Sequence, residues 1–311
     1  MELSIIIVNW NSAEFVSECL KSIREQTTVP YQIIVVDNAS AKEDCKKLEK
    51  CCQDLELILS EENLGFARAN NLGFRHSKAE YVLFLNPDTI VIGRALDTML
   101  ERIKTLPRAG VVGCKLLNSD LSVQLSAIQR FPTILNQVLD VEYLQLRWPR
   151  CPLWSVAPLL SDDTKLQAVE VVSGACMLLK RSVFEQVGMF SEDYFMYAED
   201  VELSYKVNRD GFTNYYVGDA SVIHHGGKSS SQQGVSYWAT TMRYRAMRQL
   251  FRKTRGRLYG AAYRAAMGFA ALVRLSLLAL AVPFGSRICD RQTLRFATGK
   301  WKVVLMWAIG W

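Results

Sequence analysis

Along the first 120 residues, short continuous apolar runs alternate with stretches whose apolar residues recur at helical spacing. This is the pattern of a βαβ sheet. The runs predict strands at 3–8 (LSIIIV), 31–37 (YQIIVVD), 55–59 (LELIL), 81–85 (YVLFL) and 110–116, and the amphipathic stretches predict helices at 12–26, 41–53, 66–78 and 94–105. Because the strand runs are apolar at consecutive positions, both faces of a mostly parallel sheet are expected to be covered. From 118 to 165 the periodicity fades, and Pro132, Pro149, Pro152 and Pro158 break the chain into loops and short helices. Regular structure resumes at 168–180 (AVEVVSGACMLLK), followed by a helix at about 198–209 and strands at 212–217 and 220–224. A Gly/Ser segment, GGKSSSQQG at 226–234, reads as a mobile loop or linker. There is no internal repeat.

Half of the 311 residues are hydrophobic, which suits one large α/β domain with or without an appendage and excludes a disordered or fibrous chain. Charge divides the chain further. From Arg243 onward 14 Lys/Arg stand against the single acid Asp290, a balance of +13, so residues 1–242, with 23 basic and 30 acidic residues, carry −7. The basic part interleaves its arginines with AAMGFAALVRLSLLALAVPF (265–284) and WKVVLMWAIGW (301–311). That mixture fits an anionic membrane surface and not a nucleic acid, with cations at the head groups and Leu, Phe and Trp at the acyl boundary. Arg274 interrupts the one stretch of spanning length, so helices lying in the interface are expected rather than a span. The eight cysteines have no paired metal-ligand spacing and read as reduced thiols of a cytosolic compartment. The apolar run after Met1 lacks a basic leader and reads as the first strand rather than a targeting segment.

Ligands of such sheets bind outside the carboxyl ends of the strands, and polar clusters stand there: VNWN (8–11), VDNAS (36–40), ENLGFARANN (62–71) and LNPD (85–88). Asn11 with Glu14, and Ser40 with Glu43, have capping-box spacing and can serve as helix caps. Asp37, a carboxylate ending an apolar strand, needs a partner, and the imide N–H of a uracil or thymine is one. Asn63-Leu64-Gly65-Phe66 opens a helix whose free amides can receive phosphate or ribose oxygens. Asn70 and Asn71 within that helix can face a ligand or solvent. The Asn86-Pro87-Asp88 turn offers a carboxylate for Mg²⁺ or Mn²⁺, which would neutralise a leaving diphosphate; the same Pro-Asp also serves as an ordinary turn. In FMYAEDVEL (195–203), Glu199 and Asp200 begin a helix, where its dipole favours a carboxylate that can act as general base. Their side chains point about 100° apart, so one of them faces the site. His224, at a strand end, can complete a metal shell, and His225 beside it is the competing candidate. Arg130, in QRFPT, can reach a phosphate of donor or acceptor.

These motifs, taken in order with SAIQRFPT, SGACMLLKR and HHGGKSS over residues 1–230, resemble the family-2 glycosyltransferases of the GT-A fold, within them a bacterial rhamnosyltransferase-like branch acting on lipid-linked glycans. The resemblance implies an α/β GT-A domain at 1–230 (nucleotide-binding half 1–117, acceptor and catalytic half 118–230) and a membrane-associating basic helical tail at 235–311. It implies that Val8, Asn9, Asn11, Asp37, Asn38 and Ser40 surround the nucleotide, and that Asn63, Gly65, Phe66 and Asn70 line its sugar-phosphate side. Asn86 and Asp88 then meet the diphosphate, Asp88 and His224 bind Mg²⁺ or Mn²⁺, and Asp200 is the base of a single inverting displacement, with Glu199 and Arg130 toward the acceptor or a phosphate. The implied donor is dTDP-L-rhamnose, with a UDP-hexose as alternative. The implied acceptor is a saccharide on a polyprenyl diphosphate at the cytoplasmic leaflet. Where the family commonly has Asp two places before the metal ligand, this chain has Asn86. Two other classes fit less well. A sugar nucleotidyltransferase would need a Gly/Arg/Lys-rich phosphate loop where VNWNSAEF stands, and a non-catalytic scaffold would not need Asp88, Asp200 and His224 together.

Overall fold

The computed structural model describes residues 1–140, 145, 147–148, 151, 153–155, 166–226, 237–281 and 291–310. The segment expected as a linker, apart from Gly226, lies outside the described residues, as do Pro149, Pro152, Pro158, Cys289 and the last residues of the 265–284 apolar stretch. Two compact units divide the chain: Met1–Phe131 with Val156–Gln232, and Pro132–Ser155 with Gln233–Trp311. Residues 132–155, read from the sequence with the acceptor half, group with the tail.

The first unit is an α/β domain. Its elements begin β1 (Leu3–Asn9), α1 (Ala13–Gln26), β2 (Tyr31–Asp37), α2 (Lys42–Cys51), β3 (Glu56–Leu59), α3 (Gly65–His76), β4 (Tyr81–Leu85), β5 (Thr89–Ile92), α4 (Ala95–Thr105), β6 (Ala109–Leu117) and β7 (Ile128–Gln129). After α5 (Ile134–Val138), which belongs to the second unit, come β8 (Leu166–Val169), β9 (Val171–Val172), β10 (Cys176–Lys180), α6 (Arg181–Gln186), α7 (Glu199–Arg209) and β11 (Thr213–His224). The main sheet runs β3-β2-β1-β4-β10-β6-β11-β5, with β8 on β11, while β7 pairs β9 separately. From β3 to β4 it is parallel; β10 runs antiparallel between β4 and β6.

The continuous apolar runs are explained by two cores. Leu3, Ile5 and Ile7 of β1 pack with α1 and α4 on one face, and Ile6 packs with α3, α6 and α7 on the other. With a side-chain period of two, a strand covered on both faces has no position facing solvent, so its residues are mostly apolar and its polar members, Ser4 and Asn9, are buried. Two details differ from the sequence expectation. TIVI at 89–92 is a strand, and the two expected strands at 212–217 and 220–224 are one, with a register shift against β6 between Val217 and Ser221. Gly218-Asp219, read as a break, is absorbed as an irregularity in a single strand.

In the second unit, α8 (Tyr237–Arg255), α9 (Arg257–Ala281) and α10 (Arg291–Ile309) pack on one another and on α5 around Phe251, Tyr263, Met267, Ala271, Val304 and Trp307.

Candidate active site

β1, β2 and β4 are parallel and in register, with Asn9 beside Asp37 and Ile7 beside Leu85, so the loops after them open on one edge of the sheet. There a cavity of about 410 Å³ is lined by Val8, Asn38, Asn63, Gly65, Phe66, Asn86, Asp88, Glu199, Asp200 and His224, ten of the sequence candidates. Asn9, Asn11, Asp37, Ser40, Asn70 and Arg130 are not among its lining residues.

Five of these six are turned to the protein itself. Asn9, fully buried, donates to Asp37 (2.8 Å), Ser40 (3.1 Å) and Asp44 (2.9 Å) and accepts from Ser12. The carboxylate of Asp37 also accepts from the Ser40 amide. The capping boxes do not form. Instead the two helix starts cap each other: Asp44 accepts from the Ala13 amide, Asn11 from the Ala41 amide, and Ser40 Oγ from the Asn11 amide. Parallel pairing of β1 and β2 brings the two turns close enough for this exchange, which spacing along one helix cannot reveal. Asn70 donates back to Phe66 O within α3. The Arg130 Nε is buried without a hydrogen-bond partner.

The amides at the start of α3 are likewise engaged, which corrects the expectation that they are free for a phosphate. Leu64 N donates to Asn38 Oδ1, Gly65 N to Asn63 Oδ1 and Phe66 N to Phe195 O. Gly65 has φ +75°, and a Cβ there would lie 2.2 Å from Phe195 O. Gly65→Ala is therefore expected to cost at least about 2 kcal/mol, from left-handed backbone strain and the forced separation from Phe195. Chemical denaturation checks this, and an unchanged midpoint would refute it. The chain that Gly65 holds continues through Tyr197 and Ala198, both at positive φ, into α7. Strain of this kind persists where the surroundings over-determine it and clusters at functional sites.

Asp88 is 1 % exposed, and neither carboxylate oxygen accepts a hydrogen bond from the described residues. An unsatisfied buried carboxylate costs several kcal/mol unless a cation meets it. Pairing of β5 with β11 sets His224 opposite Thr89, so that His224 Nε2 stands 3.4 Å from Asp88 Oδ1, across 136 residues of chain. His224 Nδ1 lies 2.9 Å from Gln124 Oε1, a pure acceptor, so Nδ1 carries the proton and Nε2 presents its lone pair toward Asp88. Asn86 Nδ2 donates to that Nε2 at 3.2 Å. His225 points elsewhere, its Nδ1 2.8 Å from Ser119 Oγ, while its amide pins Asp88 O. A carboxylate and an imidazole lone pair suit Mg²⁺ or Mn²⁺ when a substrate phosphate supplies further oxygens. Among the described residues there is no group of three or more His, Cys, Asp or Glu side chains that could hold a metal without such help.

Asp200 shares the cavity wall. Its carboxylate is oriented by the Gly174 amide (2.9 Å) and by the Val201 amide (2.8 Å). Glu199 is buried, its Oε2 has no hydrogen-bond partner, and burial, with the charge of Asp200 second and that of Glu202 after it, pushes its pKa up to about 8. A raised folded pKa means that the folded state holds a proton the unfolded chain releases. This stability is present below the ordinary carboxylate range and is lost as pH rises toward 8, by at most about 1.4 kcal/mol per pH unit. Glu199→Gln is therefore expected to flatten the fall of Tm between pH 5 and 8; an equally steep fall in the variant would refute the assignment.

Several wall residues were not singled out from the sequence. Trp10 lies inside VNWN, Ser173 and Gly174 inside SGACMLLKR, and Met196 and Tyr197 inside FMYAED. Their motifs were legible, but which members face inward depends on turns that pattern alone does not set. The Gly174 position is tight, since a Cβ would stand 3.3 Å from the Asp200 carboxylate.

Residues 4–188 match the sequence profile of glycosyl transferase family 2. The chain belongs to that family. It is 30% identical over 249 residues to the N-acetylglucosaminyl-diphospho-decaprenol L-rhamnosyltransferase of Mycobacterium tuberculosis, covering 76% of this chain and 80% of the relative. The rhamnosyltransferase WbbL of Escherichia coli K12 is 26% identical over 230 residues, covering 71% of this chain and 82% of the relative. Among solved structures, the mannosyltransferase PcManGT of Pyrobaculum calidifontis, in complex with GDP-Man and Mn²⁺, superposes with a TM-score of 0.57 at 20% identity, covering 99% of this chain and 86% of that one. The fold is GT-A, and the glycosyltransferase falls in the rhamnosyltransferase-like branch.

Proposed function

We propose that this glycosyltransferase moves L-rhamnose from dTDP-L-rhamnose onto a sugar carried by a polyprenyl diphosphate, by a metal-assisted single displacement at the cytoplasmic face of the membrane. The observation that carries the reading is the buried Asp88 carboxylate, without a hydrogen-bond donor, facing the His224 lone pair in the cavity that Asp200 also lines. The relatives named for rhamnosyl transfer, one of them onto a diphospho-decaprenol, support the donor and acceptor classes. The mannosyltransferase PcManGT, whose fold this chain shares and which was solved with GDP-Man and Mn²⁺, supports a divalent ion.

Asp88 and His224 would hold the cation, which supplies Lewis-acid neutralisation of the leaving nucleoside diphosphate. Asn38, Asn63 and Phe66 form the wall on the side assigned to the nucleotide sugar. Asp200, oriented by two backbone amides, removes the proton of the acceptor hydroxyl as its oxygen attacks the anomeric carbon and the diphosphate departs. One displacement inverts the anomeric configuration. The raised pKa of Glu199 favours its protonated form beside Asp200, which limits the negative charge on the wall. The basic second unit would keep the domain at the bilayer where such an acceptor resides.

The test incubates the protein with Mg²⁺ or Mn²⁺, a sugar-diphospho-polyprenol and, separately, dTDP-L-rhamnose, UDP-glucose, UDP-N-acetylglucosamine and GDP-mannose, with products read by mass spectrometry and NMR. A deoxyhexose added only from dTDP-L-rhamnose, with inverted configuration, is expected. A product from a UDP-hexose alone would reassign the donor, and retained configuration would overturn the single displacement.

A further inference from the structure

Helix α9 reverses the usual distribution of charge on a surface helix. Every exposed position from Leu258 to Leu280 is Leu, Ala, Phe, Val or Ser, an uncharged face of about 34 Å at 1.5 Å per residue. The helix contains Arg257, Arg264 and Arg274; Arg257 is exposed at its first residue, before that face begins, and the other two are turned away from it. Arg264 Nε donates to Ala308 O at 2.9 Å, and Arg274 donates to Val138 O at 2.6 Å with its guanidinium 4.3 Å from the Trp301 ring centroid. Arg274 therefore does not interrupt the exposed surface, as its place in the sequence implies. Phe269 and Leu277 on that face are 69% and 60% exposed.

Beside this face lies a cluster of guanidinium groups. Arg248 and Arg252 stand one turn apart on α8, and α9 crosses close to them at Gly260, where a Cβ would lie 2.5 Å from Arg252 Cγ and 3.2 Å from Arg248 O. One turn after that crossing comes Arg264, on the flank of α9 between its buried and exposed sides. The Arg248 Nε is buried without an acceptor among the described residues, and burial together with the charges of Arg264 and Arg252 pushes that guanidinium below its ordinary pKa. No acid on these helices is available to pair with the three, since the only one from Arg243 onward is Asp290, outside them. Like charges held together around an unsatisfied N–H suit a phosphate, whose oxygens match the guanidinium fork.

We propose that the helical unit docks on an anionic phospholipid leaflet with α9 in the plane of the interface, its Leu258–Leu280 face against the acyl chains and Arg248, Arg252 and Arg264 together holding one lipid phosphate. This deepens the membrane placement proposed above and rests on it. Charge complementarity selects the leaflet as occupant: the chain from Arg243 onward carries +13. The neighbouring helices select the in-plane orientation. Arg243 and Arg245 on α8 and Arg295 and Lys302 on α10 are exposed, and Lys302 follows the Trp301 that covers Arg274, about two-thirds of the way along α9. A unit with exposed cations at that level lies in the interface rather than across the hydrocarbon.

Full-length protein sedimented with vesicles of phosphatidylcholine, with and without phosphatidylglycerol and in the absence of any nucleotide or sugar, tests this. Binding to the anionic vesicles is expected to exceed binding to neutral ones by at least about tenfold. Arg248→Gln with Arg252→Gln should lose about tenfold more affinity than Arg243→Gln with Arg245→Gln, which removes the same charge from exposed positions of the same helix. Phe269→Ser with Leu277→Ser, at positions the fold leaves exposed, should weaken binding to both vesicle types. Equal losses from the two arginine pairs overturn the phosphate clamp, and full binding by the Phe269/Leu277 variant overturns the docking face. A change confined to the variant's mass in sedimentation velocity would make the face a contact between copies and overturn the proposal as well. Because the assay contains no donor, its failure leaves sugar transfer standing, and a failed transfer assay leaves the docking standing.

Discussion

Asp88→Ala is expected to remove the dependence of donor binding on Mg²⁺ or Mn²⁺ and to lower transfer by about 10³-fold or more, while leaving the metal-free protein as stable as the parent or more stable. The two halves of this expectation have one origin. The Asp88 carboxylate is almost fully buried and accepts no hydrogen bond, so without a cation it is a cost to the fold of order 1 kcal/mol or more. Removing it relieves that cost, as happens when function rather than stability retains a residue. Loss of several kcal/mol of charge neutralisation on the leaving diphosphate corresponds to the fall in rate. Isothermal titration of donor with and without metal, paired with thermal melts in chelator, separates the cases. A variant that is clearly destabilised in chelator but keeps its metal requirement would show Asp88 to be structural.

Asp200→Asn tests the other side of the cavity. The exchange is nearly isosteric, so donor affinity should stay within about threefold, whereas transfer should fall by about 10²–10⁴-fold because an amide cannot take the acceptor proton. Stability should fall by about 1–2 kcal/mol, since the Gly174 and Val201 amides now meet the parent's two carboxylate oxygens and the amide offers one. Single-turnover transfer and donor titration read the two effects independently. Loss of donor binding in proportion to activity would move Asp200 from proton acceptor to scaffold.

Both experiments concern residues that are legible in the sequence, but for unequal reasons. Asp88 and Asp200 sit in short polar motifs ending apolar runs, and chemistry alone makes a carboxylate in such a place conspicuous. Asp37 was conspicuous on the same ground, yet its partners are Asn9, Ser40 and Cys45, supplied by neighbouring turns. The desolvation argument establishes that a buried carboxylate needs a partner; it does not say whether that partner is a ligand or the chain itself. The same limit applies to the start of α3, where the amides expected to await a phosphate are taken by Asn38, Asn63 and Phe195.

Hydrophobic periodicity by itself determined the α/β class and the early strands and helices to within a few residues, because side-chain period and burial on both faces are local properties of the pattern. The ordered motifs determined the family. Only the tertiary structure decided that His224 rather than His225 faces Asp88, since that follows from the register of β11 on β5. Only it decided that the Glu199 carboxyl is pushed above the ordinary carboxylate range, which needs burial and the neighbouring Asp200 and Glu202 charges. Arg274 makes the same point in the tail. In the sequence it interrupts an apolar stretch, while in the fold Trp301 and Val138 draw it inward and leave the outer face of α9 uncharged, because a long side chain can reach partners that only helix packing brings near.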